Sequence, residues 1–93
     1  MENPAIGCEK MIKLLFFAQL SELAGCDSKE AEFQNGLTPR KLVDQLESDM
    51  PAELIDALRF DAVMVSVNKV MAGWDDTLSA DDEVAFLPPF SGG

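Results

Sequence analysis

Residues 88–93, Pro88-Pro89-Phe90-Ser91-Gly92-Gly93, are the ones whose types and order could do chemistry. The two prolines hold φ near −65° and push the backbone toward extended or polyproline geometry, away from a sheet edge. Fully extended, this stretch reaches roughly 20 Å at about 3.3 Å per residue. Gly92 and Gly93 carry no Cβ, so they could thread a channel too narrow for side chains and leave a terminal carbonyl open from either face. The reactive group on this reading is the α-carboxylate of Gly93. A carboxylate is a poor electrophile, so its chemistry needs activation first, as by acyl-adenylation with ATP. The competing reading is a Gly-Gly end with no role.

The rest of the chain offers conventional catalysis little. There is no histidine, which removes Ser–His and Cys–His pairs. No glycine-rich phosphate loop is visible. Two cysteines, Cys8 and Cys26, make no disulfide framework and no Cys-x-x-Cys pattern, so no metal site is expected. Asp75-Asp76 and Asp81-Asp82-Glu83 read as turn chemistry, because a catalytic carboxylate pair needs an environment that raises one pKa. Cys26 reads as a small apolar filler. Trp74 could anchor an interface or cap the core.

A chain of 93 residues fits one domain. Its 47% hydrophobic and 26% charged residues are an ordinary globular balance. Asp plus Glu total 17 against 7 Lys plus Arg, a formal net charge of −10. Such a surface repels phosphate backbones and anionic lipid, so neither nucleic acid nor membrane is an expected partner. It favours encounter with a basic protein patch, unless the excess acid serves only solubility. Apolar runs such as Leu14 to Ala18 are far short of the roughly 20 residues that span a bilayer. Residues 1–10 lack the basic start and apolar centre of a signal peptide. With no disulfide framework, a reducing cytoplasm is the expected compartment.

Hydrophobic periodicity then supplies the elements that must position the tail. Residues 1–10 read as an irregular extension, 11–87 as the domain and 88–93 as the extended tail. Met11 to Gln19 alternates as a strand, with Ile12, Leu14, Phe16 and Ala18 on one face and Lys13, Leu15, Phe17 and Gln19 on the other. Ser21 to Ala24 predicts a helical turn stopped by Gly25. Ser28 to Gln34 is a weaker strand, and Asn35-Gly36 a turn. Thr38 as N-cap and Pro39 at the first helical position start the main helix. Leu42, Val43, Leu46 and Met50 form its apolar stripe, and Pro51 ends it. Leu54, Ile55 and Leu58 suggest a further short helical segment. Ala62 to Asn68 is a strong β-branched strand, Val70 to Ala72 a short one after a turn, and Glu83 to Leu87 the last. Leu78 should plug the core. The order predicts an α+β fold, a mixed sheet with one main helix on one face, and the first strand central beside the last.

With these residues in place, the chain resembles the small subunit of molybdopterin synthase. Met11-Ile12-Lys13-Leu14-Leu15-Phe16-Phe17-Ala18, with Leu23-Ala24-Gly25, resembles that family's opening. Asp82-Glu83-Val84-Ala85-Phe86-Leu87-Pro88-Pro89-Phe90-Ser91-Gly92-Gly93 resembles its ending, and Val65-Ser66-Val67-Asn68 its central strand. The Leu-Pro-Pro approach distinguishes it from the shorter thiamin sulfur carriers, which share the Gly-Gly end. The resemblance implies a β-grasp, ubiquitin-like fold. It implies that an E1-like enzyme adenylates Gly93 with ATP and that a sulfur donor protein then yields a C-terminal thiocarboxylate. The tail would enter the large synthase subunit, in a heterotetramer, and deliver sulfur to cyclic pyranopterin monophosphate. The chain would be a sulfur-donating co-substrate with no cofactor bound. Family members often have a basic residue in the turn after the first strand, where this chain has Ser21, and they typically lack an extension like 1–10.

A partner surface would lie on the outward sheet face near the last strand. Leu15, Phe17, Ala85 and Leu87 share that face if Phe16 and Phe86 point at the helix, with acidic residues on the rim. Both faces of these strands are apolar, so the inverse parity stays open. The same tail would also suit a ubiquitin-like modifier joined to lysines through Gly93, or a sulfur carrier for thiamin or tRNA thiolation. A plain acidic interaction domain is the third possibility.

Overall fold

The computed structural model describes residues 10–59 and 63–88. The expected extension, except Lys10, therefore lies outside the described residues, as do Ala62 and the tail from Pro89 to Gly93. Eight elements follow in order: β1 (Met11–Phe16), α1 (Gln19–Ala24), β2 (Ser28–Glu32), α2 (Pro39–Leu46), α3 (Ala52–Leu58), β3 (Met64–Val67), β4 (Val70–Ala72) and β5 (Glu83–Leu87). The strands form one five-stranded mixed sheet in the order β2-β1-β5-β3-β4. β1 runs antiparallel to β2 and parallel to β5, while β3 runs antiparallel to β5 and β4. The last strand thus takes the middle place, with the first beside it.

Alternation decides which face of the sheet becomes core. Ile12, Leu14 and Phe16 of β1 are buried, as are Val84 and Phe86 of β5 and Val65 of β3. They meet Leu20 of α1, Leu42, Val43 and Leu46 of α2, and Leu54, Ile55 and Leu58 of α3 in one cluster. The main helix α2 thus covers this face together with the two short helices α1 and α3. Leu78 reaches the same cluster, and its backbone N–H donates to the Leu37 carbonyl at 2.8 Å.

Local signals set most element ends. The Thr38 side chain accepts from the Lys41 N–H at 3.2 Å, and Pro39 opens α2 where no intrahelical N–H is needed. Gly25 ends α1 in the left-handed region at φ 78°, donating its N–H to the Ser21 carbonyl at 2.9 Å.

Other ends differ from the sequence expectation. β1 stops at Phe16 rather than Gln19 because Ala18 turns to φ 54° and becomes the N-cap of α1. Ala18 is accordingly exposed and leaves the inner face it was expected to share. α2 ends at Leu46, four residues before Met50. The Glu47 and Asp49 N–H groups donate to the nearer carbonyls of Asp44 and Leu46, a tightening turn that still delivers Met50 against the core. β2 stops at Glu32 and β3 starts at Met64, inside the spans their alternation suggested. Asn68 and Lys69, both at positive φ, form the two-residue turn joining β3 to β4. No helix among the described residues is long and apolar enough to cross a membrane.

Candidate functional site

The root of the tail is anchored in the middle strand of the sheet. β5 is paired on both sides, Phe16 opposite Phe86 on β1 and Met64 opposite Leu87 on β3. On the core side the Phe86 ring stacks between two others. Phe16 lies at 5.8 Å with an 18° interplanar angle, and Trp74 at 5.9 Å and 21°. The Trp74 indole N–H donates to the Val63 carbonyl at 3.3 Å, so this side chain caps the core. The chain leaves the sheet through half-buried Leu87 and Pro88. Of the proposed tail residues only Pro88 is described. Pro89, Phe90, Ser91, Gly92 and Gly93 lie outside the described residues.

With Phe16 and Phe86 turned to the helices, the opposite parity points away from the core. Register then assembles one row across all five strands: Ser28, Leu15, Ala85, Ser66 and Met71. Leu87 and Met64 form the next pair toward the tail. Phe17 follows β1 at the same end and is 44% exposed. The four expected surface residues are therefore brought together at the tail root, although Ala85 is itself 93% covered at 7% exposure. Met64 and Met71, 47% and 55% exposed, extend the apolar area onto β3 and β4. The sequence reading missed them; their shared parity opposite Val65 was the signal. At the other end of the same face the rows turn charged, with Glu30, Lys13 and Glu83 in one and Glu32 beside Met11 in another. The outer face is thus apolar next to the tail and acidic away from it.

The loops behind this face use their carboxylates to hold backbone. Asp76 accepts from the Gly73 N–H at 2.8 Å, and Asp82 from the Ser79 N–H at 2.7 Å. The Asn68 amide donates to Asp82 at 2.9 Å and accepts from the Glu83 N–H at 3.0 Å, tying the β3–β4 turn to the start of β5. Arg40 pairs with Asp75 at 2.9 Å, a hydrogen bond that holds the Asp75 carboxyl below its ordinary pKa. Arg59 lies 2.7 Å from Asp44 and 3.6 Å from Glu47, and the Asp44 bond raises its pKa. These groups are spent on turns and helix ends. Ser21, near the start of α1, donates its hydroxyl to the Ala18 carbonyl at 2.8 Å. Cys26 is a half-buried free thiol packed against the core.

Comparison with known proteins extends the similarity to the tail. A family model described as the ThiS family matches residues 14–93. The molybdopterin synthase sulfur carrier subunit of Escherichia coli (strain K12) is 39% identical over 88 residues, covering 89% of this chain and 100% of that one. Its counterpart in Mycobacterium tuberculosis (strain ATCC 25618 / H37Rv) is 35% identical over 85 residues, covering 88% and 96%. Among solved structures, SAMP1 from Haloferax volcanii superposes with a TM-score of 0.77 at 27% identity, covering 89% of this chain and 99% of that chain.

Proposed function

The chain belongs to the ThiS family and folds as a ubiquitin-like β-grasp, and from that premise we propose that it is the sulfur carrier of molybdenum cofactor biosynthesis. The observation that carries this reading is the extent of the similarity. It runs through residue 93, so it takes in the tail as well as the domain, and the relatives at 35% and 39% identity are sulfur carrier subunits of molybdopterin synthase.

The chemistry follows from the Gly93 carboxylate. One carboxylate oxygen attacks the α-phosphorus of ATP on an E1-like activating enzyme, releasing pyrophosphate and leaving an acyl-adenylate. The outer sulfur of a donor protein's persulfide attacks the acyl carbon and displaces AMP. A thiol then attacks the donor's own sulfur in the resulting acyl disulfide, which leaves a thiocarboxylate on the chain and a disulfide on the donor side. The large subunit of molybdopterin synthase then receives the tail, and the sulfur passes to cyclic pyranopterin monophosphate. The chain itself supplies position. Pairing on both sides of β5 and the Phe16–Phe86–Trp74 stack fix the root of the tail. The prolines extend it, and the glycines keep its tip slender. Leu15, Phe17, Ala85 and Leu87 serve as the docking face beside it, and the cytoplasm is the compartment in which these steps occur.

Intact-mass spectrometry tests the carrier step. Incubation with the activating enzyme, ATP and a sulfur donor should add about 16 Da, one oxygen replaced by sulfur. Deleting Gly93 should abolish that change and leave the unfolding midpoint in place, because a terminal glycine buries little area. An unchanged mass for the full chain rejects the proposal. Conjugates to lysine without any thiocarboxylate would instead identify a protein modifier.

A further inference from the structure

Ser66 is the one buried polar residue among the described residues, at 8% exposure. It sits in the middle of the outer row, with Ala85 on one side and Met71 on the other. Leu15 lies one strand further along that row, and Met64 precedes Ser66 by two on the same face. Among the described residues its hydroxyl has no hydrogen-bond partner, whereas Ser21 and Thr38 both place theirs on backbone. Serine also brings the sheet nothing that a β-branched residue would not bring better. A buried hydroxyl without a folding role calls for another explanation.

We infer that Ser66 is the specificity-determining polar contact of the docking face, paired in the complex with a hydrogen-bonding group that the large subunit presents inside an apolar patch. This rests on the docking role proposed above. In the free chain, the small exposure Ser66 retains lets solvent serve the hydroxyl. Docking removes that solvent. A purely apolar cover would then leave the hydroxyl unpaired, a loss of about fivefold to a hundredfold in affinity. A surface that supplies a donor or acceptor at this one point avoids the loss. Ser66 would thereby discriminate between partners that match the surrounding apolar row equally well.

Affinity for the large subunit from the same host, measured by calorimetry, tests this with two variants. Ser66→Ala should keep or raise the unfolding midpoint while raising Kd about fivefold to twentyfold, since a neutral hydrogen bond between partners is removed. Ser66→Thr keeps the hydroxyl and should retain most of the affinity. Ser66→Ala binding as tightly as the parent chain, or more tightly, overturns the inference, as does a lowered midpoint that accounts for the loss. If the unaltered chain does not bind the large subunit at all, the docking reading fails and takes this inference with it. Normal binding with an indifferent Ser66→Ala removes the inference alone.

Discussion

Asp75 and Arg40 join the loop after β4 to the first turn of α2 through an ion pair that is exposed on both sides. The hydrogen bond from Arg40 is the main cause of the depressed Asp75 pKa. A carboxyl depressed in the folded state contributes stability above its unfolded pKa and loses it as pH falls through the folded value. Asp75→Asn should therefore lower the midpoint slightly at neutral pH, as exposed pairs do. The difference from the parent chain should shrink as pH falls below the ordinary carboxylate range and the Asp75 carboxyl takes up its proton. A thermal-melt series across acid pH reads this directly, and a gap that persists in acid would assign the effect to something other than charge. Asn68 works differently: its neutral amide donates to the Asp82 carboxylate and accepts from the Glu83 N–H, so it joins two segments without an ion pair.

At the scale of the element, the β3–β4 hairpin carries the clearest local conflict. Its two turn residues are Asn68 at φ 53° and Lys69 at φ 72°. Asparagine tolerates that region, but lysine carries a Cβ penalty there and glycine does not. Lys69→Gly should stabilise the domain by about 0.5–1 kcal/mol, the relieved strain outweighing the greater freedom glycine gives the unfolded chain. Chemical denaturation with an unchanged m-value would register it. A loss of stability would mean that the Lys69 side chain contributes more than its backbone costs. The hairpin matters to the site because β3 is what holds the far side of β5, and Met64, opposite Leu87, sits beside the tail root.

For the whole molecule, the formal charge of −10 and the apolar patch divide the work of association. Acidic residues lie on the outer face away from the tail, and apolar ones next to it. On the docking role proposed above, long-range attraction to a basic patch would set the encounter rate, and burial of the apolar row the lifetime of the complex. Raising salt from about 0.05 to about 0.5 M should slow association with the large subunit roughly tenfold and change dissociation little. Stopped-flow rates at several ionic strengths separate the two. An association rate indifferent to salt would reduce the excess acid to a matter of solubility.

Much of this was legible along the chain because it depends on neighbours in sequence. Thr38-Pro39 starts a helix through local hydrogen bonding and a fixed φ, Gly25 ends one through its freedom at positive φ, and alternation marks the strands. The chemistry available to Pro88-Pro89-Phe90-Ser91-Gly92-Gly93 is likewise a matter of residue type. What sequence left undecided is non-local. β1 and β5 are apolar on both faces, so no count of hydrophobic residues could say whether Phe16 or Leu15 meets the helices. The Phe16–Phe86–Trp74 stack, which needs three distant segments at once, takes the inner side. Ala18 seemed part of a strand because its hydrophobicity fits, yet the chain must turn there to bring α1 over the sheet. Strand register, set by pairing between residues far apart in sequence, is what places Ser66, Met64 and Met71 beside Leu15 and Ala85. Residue types alone determined what the tail could do, and only the packed sheet decided which surface stands next to it, because a face exists only once its strands are paired.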